Sequence, residues 1–312
     1  RLWGTGLQAA VSAAHAIRAG EGDLFIAGGV ESMTRAPYVM LKSESAWNRV
    51  PPEIADTTVG WRFTNPRMPA DWTISLGETA ERVAAQYGIS REEQDAFAVE
   101  SQRRTQVALA EGYFDAEMAP VTVPAKNGTQ VVARDEHPRA DVTAESLGRM
   151  RPAFVRNGTV TAGTSSGIND GASALSIVSE EAARELSLTP LAYVRATAVA
   201  GVDPSVMGLG PIPATRKALA RANVSADALD LIELNEAFAA QAIACIRELK
   251  LDPARVNVSG GGIALGHPLG ASGARILTTL VHALHRTGGR YGLATMCIGV
   301  GQGIAMVVER VG

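Results

Sequence analysis

Apolar residues recur at helical spacing over residues 4–18, GTGLQAAVSAAHAIR, and the pattern stops at Gly20, as a helix with a glycine terminus does. Residues 24–27 are a short apolar run bounded by Gly28 and Gly29, which predicts a buried strand closed by those glycines. The period fails between residues 32 and 69, where prolines, tryptophans and mixed polar residues accumulate in runs such as DTTVGWRFTNPRMP. Helical spacing returns in GETAERVAAQY at 77–87. It returns again after Ser90, whose SREE sequence is a capping-box pattern and predicts a helix to about residue 110. Residues 120–164 read as short strands and turns. Residues 33–168 therefore read as an inserted lobe, and excursions this long inside a compact domain are usually functional.

Beyond the lobe the pattern alternates. Strands are predicted at 171–178, 191–201, 229–234, 256–258, 292–298 and 303–309. Helices are predicted from Ser179, at 214–222, at 236–249 and after the glycine-rich stretch 259–273. Such alternation implies an α/β layered architecture. Residues 191–312 make a complete-looking half, whereas 1–32 and 169–190 look like the remainder of another whose leading strand is missing. The expectation is that an amino-terminal segment is absent and that an uncovered apolar edge lies near residues 24–27.

Composition narrows the functional classes. With 312 residues and 46% hydrophobic content, the chain is long enough for a large core. A net charge of -3 offers no basic excess to displace counterions from nucleic acid. No apolar run reaches the roughly 18 residues of a membrane span, and no signal peptide is visible, so a cytoplasmic location is expected. Cys245 and Cys297 cannot make a disulfide framework and fit a reducing compartment.

Three residues sit where predicted strands meet turns or helices, which is where ligand sites gather in α/β folds: Asn235 in DLIELNEAFAAQ, His267 in SGGGIALGHPLGASG, and Cys297 in ATMCIGVGQG. After Cys297 the alternating Gly299, Gly301 and Gly303 leave main-chain N–H groups open toward a carbonyl oxygen, an arrangement that fits an oxyanion hole. A Cys, a His and an Asn together also suggest a cysteine hydrolase with Cys297 as nucleophile. Cys245 falls on the apolar face of its helix and reads as core. His15 reads as a helix histidine without a partner. His282 and His285, three apart, lack further metal ligands and read as surface residues, so no metal site is expected. The glycine stretch lacks the Gly-Lys-Ser/Thr ending of a phosphate loop.

The stretches GTGLQAAVSAA, IAGGVESMTRAP, GTVTAGTSSGINDGA, LNEAFAAQ, GGGIALGHPLGASGAR and MCIGVGQGIA resemble the thiolases, in that family's order over nearly the whole chain. DTTVGWRFTNPRM, DEHPRAD and the closing MCIGVGQGIAMVVERV are most similar to 3-oxoadipyl-CoA thiolases, with a general acetyl-CoA acyltransferase as the alternative. The resemblance implies a thiolase fold: two similar βα halves in a layered α-β-α-β-α arrangement with an inserted loop lobe, the first half truncated here. It implies CoA as a substrate, no bound cofactor, and a homodimer or homotetramer. It also assigns roles. Asn235 would hold a water that forms one oxyanion hole with His267. Cys297 would be the general acid and base, and the Gly299 N–H would contribute to a second oxyanion hole. Arg139, Ala162, Ser166 and Phe238 would contact CoA, while Arg62 or Arg67 would meet the distal carboxylate of an oxoadipyl substrate.

One position departs. The family's nucleophile is the cysteine of a Cys-Gly-Ser-Gly-type motif at the start of the first helix, and here the residues are Arg1-Leu2-Trp3-Gly4-Thr5-Gly6. A helix N-terminus lowers a thiol's pKa, but an indole has no nucleophile to activate. Trp3 should instead fill the acyl space. Two readings stand: a thiolase whose cysteine codon has changed by one base, or a catalytically silent protein that still binds CoA.

Overall fold

The computed structural model describes residues 1–126 and 128–312. In chain order the elements are helix α1 (Thr5–Arg18), strands β1 (Leu24–Ser32), β2 (Tyr38–Met40) and β3 (Ile54–Asp56), and helices α2 (Leu76–Tyr87) and α3 (Arg91–Ala110). Strands β4 (Val121–Ala125) and β5 (Gly128–Val132), helix α4 (Ala144–Gly148), β6 (Asp170–Val178), α5 (Glu180–Glu185) and β7 (Ala192–Gly201) follow. The chain ends with α6 (Pro211–Ala222), β8 (Leu231–Leu234), α7 (Ala239–Leu249), the single turn α8 (Gly262–Leu265), α9 (Leu269–Thr287), β9 (Tyr291–Ile298) and β10 (Gln302–Arg310).

Layers stack around α9. Strands β7, β10, β9 and β8 form a sheet in that order, antiparallel except for the β8–β9 pair. Strands β1 and β6 form a second, antiparallel sheet. Helices α1 and α9 lie between the two sheets, and α6 packs on the far face of the larger one. Leu7, Ile276, Leu280, Leu284, Met296, Ile304 and Met306 are fully buried in the interlayer core. Each such side chain contributes about 1.5–3 kcal/mol of burial. The outer face of β1 carries Leu24, Ile26 and Val30, all exposed, with Ile26 at 82%.

The capping box is present: the Glu93 N–H donates to Ser90 Oγ at 3.2 Å, and the Ser90 N–H donates to Glu93 Oε2 at 2.9 Å. Several sequence expectations need correction. Strand β1 does not close at Gly28 and Gly29 but runs through both to Ser32. These glycines are there because other backbones lie against them: a Cβ on Gly28 would sit 2.4 Å from the Ser173 carbonyl oxygen, and one on Gly29 would sit 2.0 Å from that of Gly270. Residues 256–258 are no strand, since Val256 makes one isolated bridge to Ile232 and Asn257 turns to φ +49. The helix expected from Glu236 begins at Ala239, and the one expected from Ala214 begins at Pro211, where a proline at the first helical position loses no hydrogen bond. His15 is not unpartnered: its Nε2 lies 3.1 Å from Thr197 Oγ1. Of the two histidines expected at the surface, His282 is half-buried, whereas His285 is exposed as expected and bonds the Leu191 carbonyl at 2.7 Å.

The contact at Gly29 is main chain against main chain, so no rotamer change relieves it. Gly29→Ala is expected to destabilise the protein by about 3 kcal/mol, the upper end for overpacking. Gly148→Ala, where nothing lies within 4 Å, should change stability by less than ~0.5 kcal/mol. Urea unfolding midpoints check both, and equal effects would refute the packing argument.

Candidate active site

The glycine-rich stretch does more packing than ligand cradling. At its C-terminal end, a Cβ on Gly273 would lie 2.3 Å from the Leu7 amide nitrogen, so α9 and α1 meet at backbone distance. Residues 259–266 wind past α3 and the β8–α7 connection, and Gly266, at φ +93, turns the chain so that the His267 N–H reaches Asn169 Oδ1 at 3.1 Å. The imidazole enters the protein beside Asn235 Nδ2, 3.3 Å from its Nε2, and Ser272 Oγ, 2.6 Å from its Nδ1. Burial pulls its pKa down to about 4, and the Arg275 cation adds to the shift. The ring is therefore neutral near pH 7.

Asn235 follows directly on β8, and Asn257, in the bend where a strand was expected, fixes it there. Asn257 Oδ1 accepts from the Leu234 N–H at 2.9 Å, and its Nδ2 donates to the Leu234 carbonyl and to Glu236 Oε1, both at 2.8 Å. Glu236 is fully buried and also accepts from Ser101 Oγ at 2.7 Å and the Ile263 N–H at 3.2 Å. Burial raises its pKa against the pull of those hydrogen bonds. The Asn235 Oδ1 atom is buried without a partner among the described residues, and such a group calls for an ordered water or a ligand.

A cavity of about 860 Å³ brings the chemistry together: Trp3, Phe238, His267 and Cys297 line it, together with Arg139, Ala162 and Ser166. Trp3 packs against the buried cluster that holds Cys297 and Phe238, and its indole lies so close to Gly299 that a Cβ there would meet it at 2.2 Å. Phe238 is stacked edge-on to Phe154 with centroids 5.9 Å apart, and the Ser166 N–H donates to the Ala237 carbonyl at 3.0 Å, tying the 162–166 loop to the strand end. The Arg139 N–H donates to Gln102 Oε1 at 3.1 Å, while its side chain is exposed at the rim. Arg62 and Arg67 do not line the cavity. Arg62 donates to the carbonyl of Gly60, a lining residue, at 3.0 Å, whereas the Arg67 N–H bonds Asn65.

Of the three glycines after Cys297, Gly299 lies against the indole. Gly303 is inside β10 between Cys297 and Ala200, and Gly301 is the φ +74 position of the β9–β10 turn, so neither belongs with Gly299 as a free donor pair. Burial pushes the Cys297 thiol up to about 12, so it rests protonated. Both ring nitrogens of His267 face Ser272 and Asn235 rather than this thiol. An activated Cys297–His267 hydrolase pair is therefore not what the geometry builds.

Sequence patterns missed His137, which lines the cavity with its Nε2 3.2 Å from the Ile263 carbonyl. A Cβ on Gly167 would meet that ring at 2.2 Å. They also missed Glu236 and Ser272, although both lie inside the quoted motifs. Cys245 is core, with its thiol 3.4 Å from the Gly208 carbonyl. Among the described residues no group of three or more His, Cys, Asp or Glu could hold a metal ion, and no helix is long and apolar enough to cross a membrane.

Comparison with known proteins places this geometry. Residues 1–181 match the family model "Thiolase, N-terminal domain" and residues 188–310 match "Thiolase, C-terminal domain". The chain is 55% identical over its whole length to a beta-ketoadipyl-CoA thiolase of Acinetobacter baylyi, of which it spans 78%. It superposes on the Bacillus anthracis acetyl-CoA acetyltransferase with a TM-score of 0.93 at 45% identity, covering 100% of this chain and 78% of that one. On human mitochondrial 3-ketoacyl-CoA thiolase in complex with CoA the TM-score is 0.91 at 42% identity, covering 99% of this chain and 76% of that one. The chain belongs to the thiolase family and has the thiolase fold.

Burial of His267 makes a pH-dependent contribution to stability. In the unfolded chain the imidazole takes a proton near pH 6.5, and in the fold it stays neutral down to about 4. Between these values the unfolded state binds the extra proton, so this contribution is complete above pH 6.5 and is lost as pH falls through the window. Glu233 and Glu117, raised by burial to about 8 and about 7, have the opposite slope, since their contribution is lost as pH rises. Comparison with His267→Asn cancels the carboxylate contributions. The stability difference between the two proteins should shift by roughly 2–3 kcal/mol against the unsubstituted chain from pH 7 to pH 4.5. A pH-independent difference in urea unfolding would contradict a neutral buried His267.

Proposed function

We propose that this thiolase serves the CoA-dependent cleavage of 3-oxoadipyl-CoA to succinyl-CoA and acetyl-CoA, and that with Trp3 at the nucleophile position it binds the substrates without turning them over. The observation that carries this reading is the single cavity shared by Trp3, His267, Cys297 and Phe238. In the family reaction a cysteine thiolate at position 3 attacks the 3-oxo carbon. The bond between C2 and C3 breaks, and its electron pair passes to the acetyl-CoA carbon as an enolate. His267 and a water held by Asn235 stabilise the enolate oxygen, and the end of the Asn235 amide that has no partner among the described residues supports a water there. Cys297 gives the proton to the acetyl carbon, a role suited to a thiol that rests neutral. The Gly299 N–H serves the acyl oxygen, and the thiol of CoA then releases the acyl group.

CoA takes the outer cavity, with Arg139, Ala162, Ser166 and Phe238 as contacts. Arg62 is favoured over Arg67 for the distal carboxylate, because its guanidinium bonds a cavity-lining carbonyl and guanidinium pairs carboxylates bidentately. A homodimer or homotetramer in the cytoplasm completes the reading. Exposed Met40, Trp47 and Ile54 on the lobe are surface such an assembly would cover, and two free cysteines fit that compartment.

The chain should show no thiolysis above background, followed as loss of the 3-oxoacyl-CoA enolate absorbance, since removing the attacking group costs on the order of a millionfold. Calorimetry should still detect CoA. Trp3→Cys should restore turnover and a covalent acyl adduct at that position by mass spectrometry. Activity of the unsubstituted chain would overturn the assignment of position 3, and acylation of Cys297 would revive the hydrolase reading. In the restored enzyme, Arg62→Ala should lower the preference for dicarboxylic over neutral substrates about tenfold or more, and an unchanged preference would remove Arg62 from the site.

A further inference from the structure

A neutral imidazole has one N–H and one lone pair, and which nitrogen carries the proton is set by the groups that meet the ring. His267 is met on both sides: Ser272 Oγ lies 2.6 Å from Nδ1, and the Asn235 amide lies 3.3 Å from Nε2. Ser272 is the fourth residue of α9 and is fully buried, and its N–H already donates to the Pro268 carbonyl at 3.1 Å. Among the described residues, the Ser272 hydroxyl has one hydrogen-bond partner, His267 Nδ1.

That count decides the direction of the bond. If the hydroxyl accepted from an Nδ1–H, its own O–H would be buried without an acceptor, an arrangement as unfavourable as any orphaned buried donor. If it donates to a bare Nδ1, it is satisfied and the ring's one proton lies on Nε2. The Asn235 side chain permits this: turned over about its last bond, its Oδ1 accepts from Nε2–H, and its Nδ2 takes the position that has no partner among the described residues, where it can donate to the water the proposed reaction places there.

We propose that Ser272 is a positioning residue that fixes His267 in the Nε2–H tautomer and so makes the ring a hydrogen-bond donor toward a substrate carbonyl oxygen in the cavity. The proposal rests on the reading of His267 as an oxyanion-hole residue. In the opposite tautomer Nε2 would present a lone pair to the developing negative charge and repel it. Asn235 is the neighbour that Nε2–H leaves when a thioester oxygen arrives. Ser272 itself touches no substrate and acts through the ring.

The tautomer can be observed without any turnover. Protein labelled with ¹⁵N-histidine, with the His267 signals identified by their loss in His267→Asn, should show in long-range ¹H–¹⁵N correlations a protonated Nε2 and a bare Nδ1. Ser272→Ala should move the ring to the Nδ1–H form or to a mixture, and Ser272→Thr, which keeps the hydroxyl, should restore the Nε2–H pattern. A protonated Nδ1 in the unsubstituted protein overturns the proposal even if the alanine variant fails to fold. An unchanged Nε2–H pattern in a folded Ser272→Ala protein overturns it as well. In a chain that also carries Trp3→Cys, Ser272→Ala should lower kcat about 10- to 100-fold with KM for CoA unchanged, below the ~10²–10³ lost when an oxyanion-hole donor is removed outright. An unaltered kcat in that active enzyme also overturns the proposal. If Trp3→Cys gives no activity, the reading of position 3 fails, and the spectra still decide the role of Ser272.

Discussion

The structure depends on a backbone-to-backbone contact at the start of α9. There Gly270 meets β1 at Gly29, and Gly273 meets α1 at Leu7, at distances that leave no room for a Cβ on either Gly29 or Gly273. Contact this close forces the first turn of the helix into one position between the two sheets, because main-chain atoms have no rotamers with which to retreat. His267 is two residues ahead of that turn and Trp3 is two residues ahead of α1, so the same contact delivers both side chains to one cavity. Larger residues at these glycines would separate the layers and also the two halves of the candidate site.

Around that contact the site is built from neutral groups. Burial lowers the pKa of His267, raises that of Cys297 and raises that of Glu236, so each is pushed toward its uncharged form. In a dry environment an isolated charge is costly, whereas an oriented dipole is held at little cost and acts strongly on charge that develops during a reaction. The site therefore works by direction. What matters is where each N–H, O–H and S–H points, and the hydrogen bonds of Asn257 to the end of β8 and of Ser272 to the imidazole are what set those directions.

Much of this was legible in the sequence, and the failures have common causes. Helices α1, α2 and α3 follow from spacing and from the Ser90 box, which act locally. Strand β1 reads shorter than it is because Gly28 and Gly29 look like a turn, when each is a glycine for the sake of a backbone far along the chain, Ser173 for the first and Gly270 for the second. Residues 256–258 look like a strand because valines flank Asn257, but the asparagine's side chain takes over the hydrogen bonds at the end of β8, and the backbone bends to allow it. Asn235, His267 and Cys297 stood out because each ends a strand or a turn. Glu236 and Ser272 did not, since a carboxylate paired three times in the core and a serine bonded to one imidazole nitrogen leave no periodic trace. The alternating glycines after Cys297 suggested one function and have three: a contact with the indole, a turn, and an approach to the Gly210 backbone.

Trp3 occupies space beside Cys297 and Gly299 that the proposed reaction would need for the acyl group. A nucleophile must be reachable, so the space before it has to be empty until substrate arrives, and an empty space forfeits the dispersion contacts its walls would otherwise make. An indole at that position fills the gap: Trp3 packs against the clusters containing Cys297 on one side and Ile298 and Ile304 on the other. Gly299 makes this possible, because any side chain there would collide with the ring. The glycine whose N–H the proposed reaction would aim at an acyl oxygen is thus also the one that leaves room for the indole. In the proposed reading of position 3, a tryptophan in place of a thiol exchanges an attacking atom for apolar burial, the usual opposition between stability and activity at a site held open for substrate.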